Sequence, residues 1–173
     1  VIGTDYNPEL VKKLQAGQLT FQEDGLETLL EKAQKTNIVF STEYSDHADI
    51  YIVSVPTPYD KKSKRIDPSY LVAAVKQVLS VCPKGAIIVV ESTVSPGTMD
   101  KYIRPLLEEH GMQAGRDVHL AHAPERIIPG NMVNELLHNA RTIGADSREI
   151  GERVKEIYSS FCQGEIEVTD IRT

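Results

Sequence analysis

Ala86-Ile87-Ile88-Val89-Val90-Glu91-Ser92-Thr93-Val94-Ser95-Pro96-Gly97-Thr98 decides the fold. Its first five residues form an unbroken apolar run rich in Val and Ile, with no alternation and hence no face left for water. A strand of that kind is buried on both sides, as in a parallel sheet covered by helices. The hydroxyl-rich turn that follows opens a helix carrying Tyr102, Ile103, Leu106 and Leu107 at helical spacing.

Outward from this stretch the same alternation repeats. Strands are predicted at Asn37–Phe40, Ala48–Val55, Val118–Ala121 and Ile166–Thr169. Asn7-Pro8-Glu9-Leu10-Val11 opens a helix. Asp67-Pro68-Ser69-Tyr70 opens another, with a capping Asp and Pro in the first turn, which should reach about Ser80. A further helix runs through Ile150, Val154, Ile157 and Tyr158 and stops at Cys162-Gln163-Gly164. Alternating β and α elements imply a doubly wound α/β fold with a parallel sheet and right-handed crossovers. No repeat, low-complexity segment or linker divides residues 1–173, so one domain is expected.

Composition narrows the function classes. The formal net charge of −6 argues against a nucleic-acid footprint, and the cluster Lys61-Lys62-Ser63-Lys64-Arg65 is too short to reverse it, so it reads as a solvated loop. No apolar run is long enough to span a bilayer. Cys82 and Cys162 are far apart and lack metal-ligand spacing, which suits buried free thiols in a reducing compartment such as the cytoplasm.

Four strand-end segments carry candidate chemistry. Ala123-Pro124-Glu125-Arg126-Ile127-Ile128-Pro129-Gly130 sets a lone carboxylate between two prolines just after an apolar run, and in open α/β sheets ligands bind outside the carboxyl ends of strands. Glu125 is therefore the first catalytic candidate, against the alternative of a Pro-stiffened loop. Ser54-Val55-Pro56-Thr57-Pro58 forms a rigid strand end suited to a cofactor, or a turn with no ligand. Ser92, Thr93 and Ser95 precede a helix N-terminus, which favours oxygen-rich ligands, although caps use the same residues. Asp5 ends the apolar run Val1-Ile2-Gly3; it is either a helix cap or the carboxylate that takes the hydroxyls of an adenosine ribose.

Together these motifs resemble the amino-terminal NAD-binding domain of the nucleotide-sugar dehydrogenases, which oxidise the C6 alcohol of a UDP-sugar to a carboxylate with two NAD. The likeness runs through Asp5, Glu23-Asp24-Gly25-Leu26 before a helix, Val55-Pro56-Thr57-Pro58, Glu91-Ser92-Thr93 with Pro96-Gly97-Thr98, Ala123-Pro124-Glu125-Arg126 with Pro129-Gly130, and Glu167-Val168-Thr169-Asp170. It is nearest to the UDP-N-acetylmannosamine dehydrogenase branch. The resemblance implies that Asp5 holds the ribose, that Val55, Pro56 and Thr57 line the NAD, and that Ser92 and Thr93 approach the nicotinamide. It also implies that Thr93 helps place a water, that Glu125 is general base in thioester hydrolysis, and that the backbone of Arg126, Ile127 and Ile128 lies along the UDP-sugar. Two positions depart from the UDP-glucose branch. Pro129 stands where a second glutamate is usual, which favours an N-acetyl sugar, and Leu10 stands where an arginine often sits, which alters the packing against the adenine.

The Rossmann-like fold expected here lacks its first strand and the G-x-G-x-x-G turn that admits a pyrophosphate, since no such sequence is present. The family's nucleophilic cysteine, with a lysine and an asparagine, belongs to a later sugar domain, and neither Cys82 nor Cys162 adjoins the strand-end loops. The resemblance therefore implies part of a larger, homodimeric enzyme, with residues 1–173 inactive alone. The rival readings are a hydroxyacid or 6-phosphogluconate-type dehydrogenase and a non-catalytic nucleotide-binding regulatory module.

Overall fold

The computed structural model describes residues 1–62 and 64–172; Ser63, inside the basic cluster assigned above to a solvated loop, and Thr173 lie outside them. In chain order the elements are β1 (Ile2–Thr4), α1 (Pro8–Gln15), α2 (Leu26–Gln34), β2 (Val39–Ser41), β3 (Ile50–Val53), β4 (Tyr59–Asp60), β5 (Arg65–Ile66), α3 (Ser69–Leu79), β6 (Ala86–Val90), a π-helical turn (Met99–Ile103), α4 (Arg104–Glu109), β7 (Val118–His122), α5 (Met132–His138), β8 (Arg141–Ala145), α6 (Arg148–Ser159) and β9 (Ile166–Asp170). They group into two compact units, Val1–Ser45 with Ile127–Leu137, and Asp46–Arg126 with His138–Thr173.

The larger unit is built on a five-stranded sheet in the order β3-β6-β7-β8-β9. Every residue of β6 is buried, as its unbroken apolar run requires, and Ile87 and Val89 pack into one cluster with Ile143, Val154 and Tyr158. Helix α3 buries Leu71, Val75, Val78 and Leu79, and its start is fixed by Asp67, whose carboxylate accepts the Ser69 N–H at 2.9 Å. Cys82 and Cys162 are free and buried.

The sheet is not parallel throughout, as the alternation had suggested. β3, β6 and β7 are parallel, but β8 runs antiparallel to β7, pairing Ala121 with Ala145 and His122 with Gly144, and β9 is parallel to β8. The chain that leaves β7 re-enters at Arg141 from the same end of the sheet, so β8 must run back along its neighbour. β8 itself and the β4–β5 hairpin were not anticipated from the sequence.

Strand β3 is also shorter than the predicted Ala48–Val55. It cannot extend through Val55, because the Ser92 hydroxyl accepts that residue's N–H at 2.8 Å and donates to its carbonyl at 2.7 Å. Both groups that would continue the ladder are thereby taken, and Pro56 beyond has no N–H to offer.

The smaller unit pairs β1 and β2 in parallel, with Gly3 opposite Phe40. A side chain at Gly3 would place its Cβ 2.9 Å from the Phe40 ring, so the close approach needs a glycine. α1 starts at Pro8 behind Asn7, whose side chain accepts the N–H groups of Glu9 and Leu10. The strand predicted at Asn37–Phe40 begins two residues later, at Val39–Ser41.

Candidate functional site

In the larger unit the segments after β3, β6 and β7 are laced together at one end of the sheet. The Glu91 N–H continues the β3–β6 ladder to Val53 at 2.9 Å, and the Ala123 N–H reaches Val90 at 3.0 Å. The Thr57 hydroxyl donates to the Thr93 carbonyl at 2.8 Å, and the Thr93 hydroxyl donates to the Glu125 carbonyl at 3.3 Å. Val55, Pro56, Thr57, Ser92, Thr93, Glu125 and Arg126 are thus brought to one place. Their hydroxyls are not equivalent. Ser92 is buried and spends its hydroxyl on the Val55 backbone, whereas Thr93 and Pro56 are exposed.

His122, the last residue of β7, sits behind this cluster with Nε2 at 3.3 Å from the Ser92 carbonyl. Burial pushes its imidazole pKa below the usual value, and the bond to Ser92 opposes this only in part, so the neutral ring is favoured.

The centre of the site is ionic. Arg141, the first residue of β8, has a side chain only 3% exposed, and it is paired with two carboxylates. Its Nη1 lies 3.3 Å from Glu91 Oε1, and its Nη2 contacts Glu125 Oε2. The guanidinium also lies over the Tyr158 ring at 4.3 Å, and the Tyr158 hydroxyl donates to Glu91 Oε1 at 3.0 Å. Burial raises the Tyr158 pKa, with the Glu91 charge adding to it, so this phenol stays a donor. The remaining Glu125 oxygen, Oε1, accepts the Arg126 N–H at 2.7 Å. Sequence reasoning identified Glu125 and quoted Glu91 within a motif, but it passed over Arg141 and treated Tyr158 as one more apolar position of a helix. The available signal was a lone Arg heading the short run Arg141-Thr142-Ile143-Gly144-Ala145.

The smaller unit carries Asp5, Ile127 and Ile128. Asp5 follows β1 and is half-buried, and its Oδ1 accepts the Asn7 N–H at 2.8 Å. The helix cap is Asn7, so capping does not account for Asp5. The loop from Ile127 to Asn131 is held by two glutamates. Glu135 accepts the Ile128 N–H at 2.7 Å, and Glu23 accepts those of Gly130 and Met132 at 2.9 and 2.8 Å. Glu23, more than a hundred residues away in sequence, thereby also terminates the N-terminus of α5.

Comparison with known proteins gives the family. Residues 1–162 match the NAD-binding domain of the UDP-glucose/GDP-mannose dehydrogenase family. The UDP-N-acetyl-D-mannosamine dehydrogenase of Methanococcus aeolicus is 38% identical over 176 residues, covering all of this chain and 39% of the relative. That of Campylobacter jejuni is 32% identical over 180 residues, again covering the whole chain and 44% of the relative. Among solved structures, a UDP-N-acetyl-mannosamine dehydrogenase from Staphylococcus aureus superposes with a TM-score of 0.89 at 38% identity, over the whole chain and 42% of that protein. The chain therefore spans about two fifths of the length of the relatives it matches. By its match over nearly its full length, the chain belongs to the UDP-glucose/GDP-mannose dehydrogenase family, whose NAD-binding domain residues 1–162 match.

Proposed function

We propose that the full-length protein oxidises the C6 alcohol of a UDP-N-acetylhexosamine, with UDP-N-acetylmannosamine as first substrate, to the uronic acid in two successive hydride transfers. The observation that carries this reading is likeness along the entire chain to enzymes named for that sugar, at 32 to 38% identity. NAD supplies the hydride acceptor. Its ribose hydroxyls suit Asp5, a half-buried carboxylate at a strand end that the helix cap does not consume. Its negative charge disfavours a 2′-phosphate, hence NAD over NADP. Val55, Pro56 and Thr57 line the cofactor, and Thr93 faces its nicotinamide end. Ser92 serves that end indirectly, since its hydroxyl fixes the Val55 loop. The backbone of Arg126, Ile127 and Ile128 runs along the UDP-sugar.

Glu125 takes a proton from the water that hydrolyses an enzyme thioester: water adds to the thioester carbon, the thiol leaves, and a carboxylate is released. Thr93, whose hydroxyl is already bonded to the Glu125 backbone, helps to place that water. The nucleophilic thiol lies outside residues 1–173, so this chain alone is inactive. The whole enzyme works as a homodimer in the cytoplasm.

NAD reduction with UDP-N-acetylmannosamine tests the proposal in the full-length protein and in residues 1–173. Turnover is expected only from the full-length protein, and robust turnover by the shorter chain overturns the division of labour. Glu125→Gln in the full-length protein should slow turnover ~10²- to 10⁴-fold, the usual worth of a general base, while substrate binding persists. Unchanged turnover in that variant removes Glu125 from the chemistry. Nucleotide binding with no UDP-sugar binding would instead support the regulatory-module reading.

A further inference from the structure

We propose that Arg141 is a positioning residue for Glu125, itself locked by Glu91 and Tyr158, so that the Glu125 carboxylate is presented to its water in a single orientation. The inference rests on the reading of Glu125 as hydrolytic base.

A buried guanidinium needs carboxylate partners to offset its desolvation, and one partner would suffice for a structural ion pair. Arg141 has two, and they come from different strand-end loops: Glu91 after β6 and Glu125 after β7. The division of donors is specific. Nη1 serves Glu91 and Nη2 serves Glu125 from one rigid plane, a geometry that the rotatable donors of a lysine ammonium do not fix. The Glu91 side is fixed further by the Tyr158 hydroxyl on the same oxygen, and the guanidinium plane is seated on the Tyr158 ring. Glu91, Arg141 and Tyr158 therefore form a rigid base whose free end is aimed at Glu125.

At Glu125 both oxygens have a partner, Arg141 on Oε2 and the Arg126 N–H on Oε1, which stops rotation of the carboxylate. Each carboxylate oxygen has two lone pairs, so each retains one with which to take a water. Without Arg141 the carboxylate would pivot about the Arg126 N–H, and its open lone pair would sweep away from the bond to be attacked. Misplacement by ~1 Å is worth ~10²-fold in rate. The reversal of β8 is what makes this possible, because it brings Arg141 to the end of the sheet where β6 and β7 finish.

The test measures kcat and KM in the full-length protein for Arg141→Met, Arg141→Lys, Tyr158→Phe, Glu125→Gln and the double variant Glu125→Gln/Arg141→Met. Arg141→Met should lower kcat ~10- to 100-fold with KM for NAD nearly unchanged, and Arg141→Lys should recover part of the loss, since it restores charge without the fork. In the Glu125→Gln background, Arg141→Met should cost less than ~3-fold, because both changes remove the same water-holding function. Equal losses from Arg141→Met in both backgrounds, or none in wild type, overturn the positioning role. Should Arg141→Met fail to fold, Arg141→Lys and Tyr158→Phe decide: lowered kcat at constant KM supports the proposal, and wild-type kcat in both overturns it. Wild-type turnover in Glu125→Gln is a different result, which defeats the reading of Glu125 itself.

Discussion

His122 titrates under two opposing constraints. Its ring is half-buried at the end of β7, and desolvation favours the neutral form while the Ser92 carbonyl, a hydrogen-bond acceptor, pulls the other way. A neutral imidazole that donates through Nε2 to Ser92 ties β7 to the same loop that Ser92 ties to Val55. The folded pKa lies below the unfolded value of 6.5, so the unfolded chain binds the proton more readily. Stability from this group is therefore complete above pH ~6.5 and falls as the pH drops from there toward the folded pKa. An NMR titration of the His122 ring should show a midpoint below 6.5, and His122→Gln should flatten the stability profile in that window. A midpoint at or above 6.5 would show that the Ser92 bond, not burial, controls the ring.

At the scale of elements the informative contrast is between β6 and β8. The run Ala86-Ile87-Ile88-Val89-Val90 advertises a two-sided buried strand, whereas Arg141-Thr142-Ile143-Gly144-Ala145 mixes a cation, a hydroxyl and a glycine, yet Arg141, Ile143, Gly144 and Ala145 are buried. Local pattern could not reveal β8, because its polar first residue is made tolerable by Glu91, fifty positions away. The same limit applied to the site. Glu125, Thr93, Ser92, Val55 and Thr57 were legible because each sits in a turn at the end of an apolar run, but their cross-links are tertiary and leave no local periodicity. Helix α6 shows what such packing demands. A Cβ at Gly151 would fall 2.3 Å from Val168 Cγ1 and 3.4 Å from Ala145 Cβ, so the helix can lie this close to β8 and β9 only with a glycine there. Gly151→Ala should cost ~1–3 kcal/mol in denaturant unfolding despite its better helix propensity. Val168→Ala in the same chain should return part of that loss, and a neutral Gly151→Ala would mean that α6 shifts freely on the sheet.

On the scale of the whole molecule the two units differ in how much apolar surface each removes from water. In the larger one, β6 and most of β7 are inaccessible, and α3, α4 and α6 each add buried side chains. In the smaller one Val11 is the only buried residue among the described residues; α2 buries none, and Ile2, Phe21, Leu29 and Val39 are each about half exposed or more. Burial of apolar area is the main favourable term in folding, so the units must differ in local stability, with the short β1–β2 pair resting on few apolar contacts. Native-state hydrogen exchange on residues 1–173 should separate them. Amides of Ile87, Ile88, Val89 and Leu120 should exchange only through global unfolding, whereas those of α2 and of the β1–β2 pair should exchange at lower free energy and with little dependence on denaturant. Exchange of α2 as slow as that of β6 would contradict the assignment of stability by burial, since no buried side chain of α2 could account for it.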